Sequence, residues 1–419
     1  MGQNRREFLK STGALVVAGA AAGPAVARRP SAMEGNADAL LRTAVESGEV
    51  PGVVAMATTR NSTIYEGAFG ARVLGQAGAM ALDSVVWLAS MTKPIVGAAA
   101  MQLVEQGRLD LDGPAARFVP ELERVQVLEG WTSDGAPRLR DPKRPVTLRH
   151  LLTHTSGFSY EIWSADIRKY QSVTSTPGIL SGRNAALTTP LVFDPGERWE
   201  YGIGIDHVGK AIENASGQRL SAYLQDHIFE PLGMRDTAFR IRPDMRARLA
   251  RIHQRDAAGR LAATDIEIPQ YPEFEMGGGG LYGTAGDYLR FVRMILNDGD
   301  SNGVQVLKPS TVVRMSRNAI GRLRVRPLRS VVPPLSNDAE YFPGMPKRWG
   351  LTFMINEQRA PTGRAPGSLA WGGLANTHFW IDRRQGVAGV YLTQVLPFAD
   401  VRSLPLFYAF EKTVYDTLV

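Results

Sequence analysis

Ser90-Met91-Thr92-Lys93-Pro94-Ile95-Val96-Gly97-Ala98-Ala99-Ala100-Met101-Gln102-Leu103-Val104-Glu105-Gln106-Gly107 is the stretch on which the fold turns. From residue 90 to 106 it is nearly all apolar, without the alternation of a half-buried strand. It therefore reads as a helix buried on every side, with Gly107 as its stop. Such a helix needs a large core around it, and 419 residues at 44% hydrophobic content can supply one. Two polar groups at its head break the pattern. Ser90 and Lys93 stand at i and i+3, on one helix face and within reach of each other. Burial disfavours the charged form of a lysine, so Lys93 can act as a base toward the Ser90 hydroxyl. A helix N-terminus adds unpaired N–H groups and positive potential where an oxyanion would develop, and Pro94 is tolerated there because no intrahelical N–H bond is lost. The chain holds 22 Ser and 8 Lys, so one such spacing is weak by itself. Its plain alternative is a helix cap beside a surface lysine.

Outward from this helix, residues 36–47 read as a short amphipathic helix ended by Gly48. Strands at 53–57 and 63–65 follow, joined at Arg60-Asn61 as a hairpin. Residues 110–345 are rich in helical patterns, Pro and Arg, most clearly at 205–215, 220–229 and 288–296. Strands return at 377–381 and 387–395, divided by Asp382-Arg383-Arg384-Gln385-Gly386, and residues 404–418 read as a closing helix. Strands at both ends with helices between them predict an α+β fold. Residues 28–105 and 345–419 would build an antiparallel sheet flanked by helices, and 106–344 a mainly helical domain.

The first 27 residues read as an address. Arg5-Arg6, the apolar run at 14–22 and Ala25-Val26-Ala27 resemble a twin-arginine export signal with its cleavage site, which predicts a periplasmic or secreted bacterial protein. The apolar run is too short for a membrane span, and no cysteine follows it to take a lipid, so no stable membrane anchor is expected after cleavage. Zero cysteines also exclude disulfides, a thiolate nucleophile and Cys-ligated metal. The net charge of +7 comes largely from scattered arginines with no nucleic-acid motif, and reads as surface and solubility. No cofactor, metal or nucleic-acid partner is expected, and oligomeric state is not legible.

Further motifs follow the Ser/Lys pair in order: Leu151-Leu152-Thr153-His154-Thr155-Ser156-Gly157, Pro195-Gly196-Glu197-Arg198-Trp199-Glu200-Tyr201-Gly202-Ile203, and Trp371-Gly372-Gly373-Leu374, with Gly277-Gly278-Gly279-Gly280-Leu281 between the last two. Together they resemble the serine β-lactamase superfamily in its class C-like branch, nearest to family VIII carboxylesterases and statin side-chain acyltransferases, over residues 36–415. The resemblance implies the β-lactamase/DD-peptidase-like fold, with the site between its two parts. It makes Ser90 the nucleophile, Lys93 its proton partner and Tyr201 the second base. The N–H groups of Ser90 and Leu374 would form the oxyanion hole. Tyr160, Trp371, Gly372 and Gly373 would bind substrate, the glycine pair allowing close approach of a ligand.

Departures from the β-lactamase pattern point to the substrate. Trp371 stands where a lysine of the edge-strand triad would recognise a β-lactam carboxylate, and Ile203 replaces the asparagine after the tyrosine. A small neutral ester is therefore the expected substrate, cleaved through an acyl-serine intermediate and passed to water or an alcohol. The alternatives are a β-lactamase, a D-amino-acid peptidase or amide hydrolase, or a non-catalytic binding member. Whether Lys93 deprotonates Ser90 or keeps Tyr201 as phenolate is left open by the residues. Other motifs read as structural. Gly299-Asp300-Ser301-Asn302-Gly303 matches a nucleophile elbow but follows a helix, not a strand. His150 and His154 have metal-like spacing but no third ligand. Asp206 reads as the N-cap of the next helix, and the glycine run at 277–280 as a tight turn.

Overall fold

The computed structural model describes residues 32–418, so the export signal read over residues 1–27 lies outside the described residues. The leading helix α1 spans Ala32–Glu46 and is followed by strands β1 (Gly52–Thr59) and β2 (Thr63–Gly70). The buried helix α2 is Thr92–Glu105, entered through a 3-10 turn at Ala89–Met91. Two helices of the middle segment matter for the site: α3 (Gly204–Ser216) and α4 (Ala285–Leu296). The C-terminal part supplies β3 (Lys347–Trp349), β4 (Met354–Asn356), β5 (Leu369–Gly373), β6 (Thr377–Asp382), β7 (Val387–Leu392) and the closing helix α5 (Ser403–Asp416).

These seven strands form one antiparallel sheet in the order β3-β4-β5-β6-β7-β1-β2. The seam between chain ends is the β7–β1 pair, with Val54 opposite Leu392 and Met56 opposite Val390. Side chains alternate across a sheet, and both faces here are covered. On β6, His378 and Trp380 pack against Phe407 and Phe410 of α5, while Phe379 between them meets Tyr288 of α4. This explains why β6 and β7 are buried at every position and lack a polar face. The fold is α+β, as expected.

Two boundaries differ from the sequence reading. Helix α4 lies within the segment assigned to the helical domain, yet it packs on β1, β6 and β7. Its apolar stripe (Tyr288, Phe291, Val292 and Ile295, all buried) shows in sequence that it covers something, but not what it covers. The last strand stops at Leu392; Val395–Leu396 leaves the sheet to pair in parallel with His253–Arg255. Among the described residues no helix is long and apolar enough to cross a membrane.

One fully buried ion pair fastens α5 to the β4–β5 connection. Arg364 holds Glu411 in a two-pronged pair, and the Thr362 hydroxyl donates to the same carboxylate at 2.8 Å. Removing one partner of a dry pair strands the other charge, at roughly 3–5 kcal/mol. Glu411→Ala is therefore expected to lower unfolding free energy by about that amount, and Arg364→Met with Glu411→Leu to restore most of it. Urea titrations of the three proteins check this; a Glu411→Ala midpoint equal to wild type would contradict it.

Candidate active site

Ser90 sits in the 3-10 turn just before α2, not in the α-helix proper, whose N-cap is Met91. The residue before it, Ala89, has φ 47°, an uncommon conformation for a residue with a Cβ. Strand β5 presses against this turn from the other side. A Cβ on Gly373 would lie 2.3 Å from the Leu88 carbonyl oxygen, and one on Gly372 would lie 2.4 Å from the Tyr341 hydroxyl. The Gly372-Gly373 pair thus admits protein atoms, Tyr341 and Leu88, close to the strand backbone. Pro94 is the third residue of α2, an early position that needs no N–H, and Gly107 ends the segment at φ 71° as the sequence implies.

Lys93 is the centre of the arrangement. It is completely buried, and its Nζ lies 3.1 Å from Ser90 Oγ, 3.0 Å from Tyr160 OH and 2.6 Å from the Gly278 carbonyl oxygen. A carbonyl can only accept, whereas a hydroxyl can do either. A neutral amine satisfies all three partners by donating to Gly278 and Tyr160 and accepting the Ser90 proton on its lone pair. Burial pushes the lysine down to about 7, against the opposing pull of the Asp206 charge. The amine can thus be unprotonated near neutral pH.

Tyr201 OH is within hydrogen-bonding reach of Ser90 and accepts from Trp371 Nε1–H at 3.0 Å. Lys93 Nζ stands 4.7 Å from the centre of its ring. Burial raises this phenol well above its ordinary range, the two hydrogen bonds only partly opposing the shift. A resting phenolate is thereby disfavoured, so of the two proton schemes left open by the residues the geometry favours Lys93 acting on Ser90. Trp371 packs on Tyr201, Trp349 and Tyr341. Its indole N–H holds the phenol oxygen.

The cleft beside Ser90 is lined by Ser90, Tyr160, Leu374 and the apolar side chains of Ile162, Trp163, Ile179, Leu180 and Met276. Leu374 follows the last ladder residue of β5, Gly373, so its N–H lies beyond the β5–β6 ladder. Tyr160 lines the cleft, and its hydroxyl also lies 3.0 Å from Lys93 Nζ, a contact that the sequence left hidden.

Two functional residues were missed. Asp206 is not an N-cap: Ile203 caps α3, and Asp206 occupies its first turn, fully buried. Its Oδ1 accepts the Gly278 N–H at 2.9 Å, while the Gly278 carbonyl accepts from Lys93. A Cβ at 278 would meet Asp206 Oδ2 at 2.5 Å, so glycine is required there by packing. The backbone of a single residue, Gly278, thus links the carboxylate to the lysine. Four consecutive glycines were the available signal, but their partner lies 72 residues away in the chain. Asp206 is a positioning residue. Asp206→Asn is expected to lower kcat roughly ten- to hundredfold by loosening Gly278. It should also move the acid limb of the kcat/KM profile to lower pH, because the charge that favours protonated Lys93 is gone. A pH–rate profile tests both effects; an unmoved limb would refute the assignment.

The decoys take structural places. His150 closes a capping box with Thr147, and His154 packs on Tyr201 with ring centres 4.6 Å apart. Ser301 belongs to a two-residue strand of a small hairpin, Asp300–Ser301 with Val304–Gln305, and has no elbow geometry.

Comparison with known proteins places the chain in context. It matches the Beta-lactamase family over residues 37–410. It is 33% identical to lovastatin esterase of Penicillium rubens, over 90% of this chain and 97% of that protein. It is equally 33% identical to monacolin J acid methylbutanoyltransferase of Aspergillus terreus, covering 96% and 98%. Among solved structures, the LovD6 mutant of simvastatin synthase from Aspergillus terreus superposes with TM-score 0.79 at 33% identity, covering 90% of this chain and 93% of that one.

Proposed function

Because this chain belongs to the beta-lactamase family, as a serine hydrolase and acyltransferase, we propose that Ser90, Lys93 and Tyr201 cleave a neutral ester through an acyl-Ser90 intermediate. The observation that carries the residue roles is the buried amine of Lys93, whose Nζ lies 3.1 Å from Ser90 Oγ and is placed to take its proton. Ser90 Oγ attacks the ester carbonyl carbon as its proton passes to Lys93. The carbonyl electron pair moves onto oxygen, where the Ser90 and Leu374 N–H groups stabilise it. Collapse expels the alkoxide, which takes the Tyr201 proton, and Tyr201 recovers one from the Lys93 ammonium. Water or an alcohol then enters by the reverse sequence and carries the acyl group away.

The apolar cleft and the absence of a cation at position 371 support an uncharged acyl group, and the names of the two relatives support an ester of a bulky alcohol. Residues 1–27, with Arg5-Arg6 and Ala25-Val26-Ala27, support export to the periplasm or beyond. In parallel assays with p-nitrophenyl butyrate and a chromogenic cephalosporin, the ester is expected to be turned over at least roughly 100-fold more efficiently, the scale of a lost charged contact to the lactam carboxylate. Faster lactam turnover would overturn the substrate reading in favour of a β-lactamase.

A further inference from the structure

The cleft beside Ser90 is small, about 40 Å³, and a larger cavity of about 420 Å³ shares one wall with it. Among the described residues Trp87 alone lines both. Its place follows from the chain. Val86–Trp87 pairs antiparallel with Tyr282–Gly283, which sets Trp87 opposite Tyr282, a residue of the larger cavity. Its indole N–H donates to the Gly279 carbonyl oxygen at 2.7 Å, and Gly279 lines the ester cleft. The Gln394 side chain clamps the main chain, accepting the Trp87 N–H and donating to the Trp87 carbonyl oxygen, each at 3.1 Å. Swinging the ring aside would break the bond to Gly279 in a buried place, where an unmade hydrogen bond is costly. Trp87 is therefore a fixed partition.

Which half of an ester meets this partition follows from the proton route, and so rests on the acyl-Ser90 reading. The departing alkoxide takes its proton from Tyr201, so the alcohol lies toward that phenol. Tyr201 packs on Tyr160 and Trp163, with ring centres 5.3 and 5.4 Å away, and both of these line the cleft. Trp87 sits instead with Gly279, which faces the turn that carries Ser90; a Cβ on Gly279 would meet the Ala89 carbonyl carbon at 3.8 Å. The acyl chain, the half left on Ser90, is thereby the half directed at Trp87. Beyond the partition, Val73, Leu249 and Ile252 supply apolar wall, and charges are compensated, Arg246 by Glu267 and Arg251 by Asp265. Such a lining accepts an uncharged chain once the indole is gone.

We propose that Trp87 sets the acyl-chain length of the substrate, ending the acyl pocket at a short chain and closing it off from the larger cavity. p-Nitrophenyl butyrate and p-nitrophenyl octanoate share one leaving group, so the ratio of their kcat/KM values reads the acyl side alone. Wild type is expected to favour butyrate at least roughly 100-fold, the scale on which a closed pocket discriminates methylenes. Trp87→Ala should shrink that preference at least roughly tenfold by raising kcat/KM for octanoate. A gain on octanoate is not the mark of a folding defect, which lowers both esters together. Trp87→Leu, a smaller cut that keeps an apolar side chain in place, should give an intermediate ratio. Wild type indifferent to chain length, or a ratio unmoved in both Trp87 variants, would overturn the proposal. Butyrate hydrolysis that survives Ser90→Ala would instead refute the acyl-Ser90 reading beneath it, whatever the ratio.

Discussion

Ser90→Ala is expected to reduce hydrolysis of p-nitrophenyl butyrate roughly 10⁴- to 10⁶-fold in kcat, with the residue left over coming from the oxyanion donors and from binding. The size of the effect follows from the covalent route. With no thiol anywhere in the chain, the nucleophile of the proposed route is the Ser90 oxygen, 3.1 Å from the buried Lys93 amine. Its loss removes the acyl-enzyme, not one stabilising contact. Folding should survive, because the hydroxyl bonds only within the Lys93 and Tyr201 cluster, in a turn that Ala can continue. Single-turnover kinetics with the variant check the point. A retained burst of p-nitrophenol at wild-type amplitude would refute Ser90 as nucleophile.

Replacement of Lys93 is the second large effect. Lys93→Arg keeps a cation but cannot give up its proton at working pH, and Lys93→Met removes the base altogether. Each is expected to lower kcat about 10²- to 10⁴-fold, the range of a lost general base. The wild-type pH profile carries the signature of the same group. Burial lowers the lysine to about 7, so kcat/KM should rise with pH through that region as the ammonium loses its proton and the amine becomes able to accept the serine proton. In both variants this limb should vanish from the residual rate. A limb that persists in Lys93→Met would assign it to another group and would return the base role to Tyr201.

Much of this site was legible along the chain because its chemistry is local. Ser90 and Lys93 are three residues apart at the head of an apolar helix, and helix geometry alone brings them together. Resemblance to a known pattern added Tyr201, Tyr160 and the Trp371–Leu374 segment. The roles within that segment were less legible. Trp371 was read as binding substrate, and its indole also holds the Tyr201 oxygen; Gly372 and Gly373 were read as room for a ligand, and they also make room for Tyr341 and Leu88. In each case residue type and position were informative, but the neighbour came from a distant stretch.

The sequence by itself determined that the protein is an α+β chain with strands at its two ends, that Ser90 stands beside Lys93 at the head of a buried helix, and that it lacks any thiol chemistry. These are properties of composition, of helix and strand period, and of residues within a few positions of each other. Tertiary structure alone decided that α4 covers the sheet, that Asp206 reaches Lys93 through the Gly278 backbone, and that Trp371 serves Tyr201. Contacts of that kind join segments tens to hundreds of residues apart, and their energies depend on burial and direction. Neither quantity exists until the chain has packed.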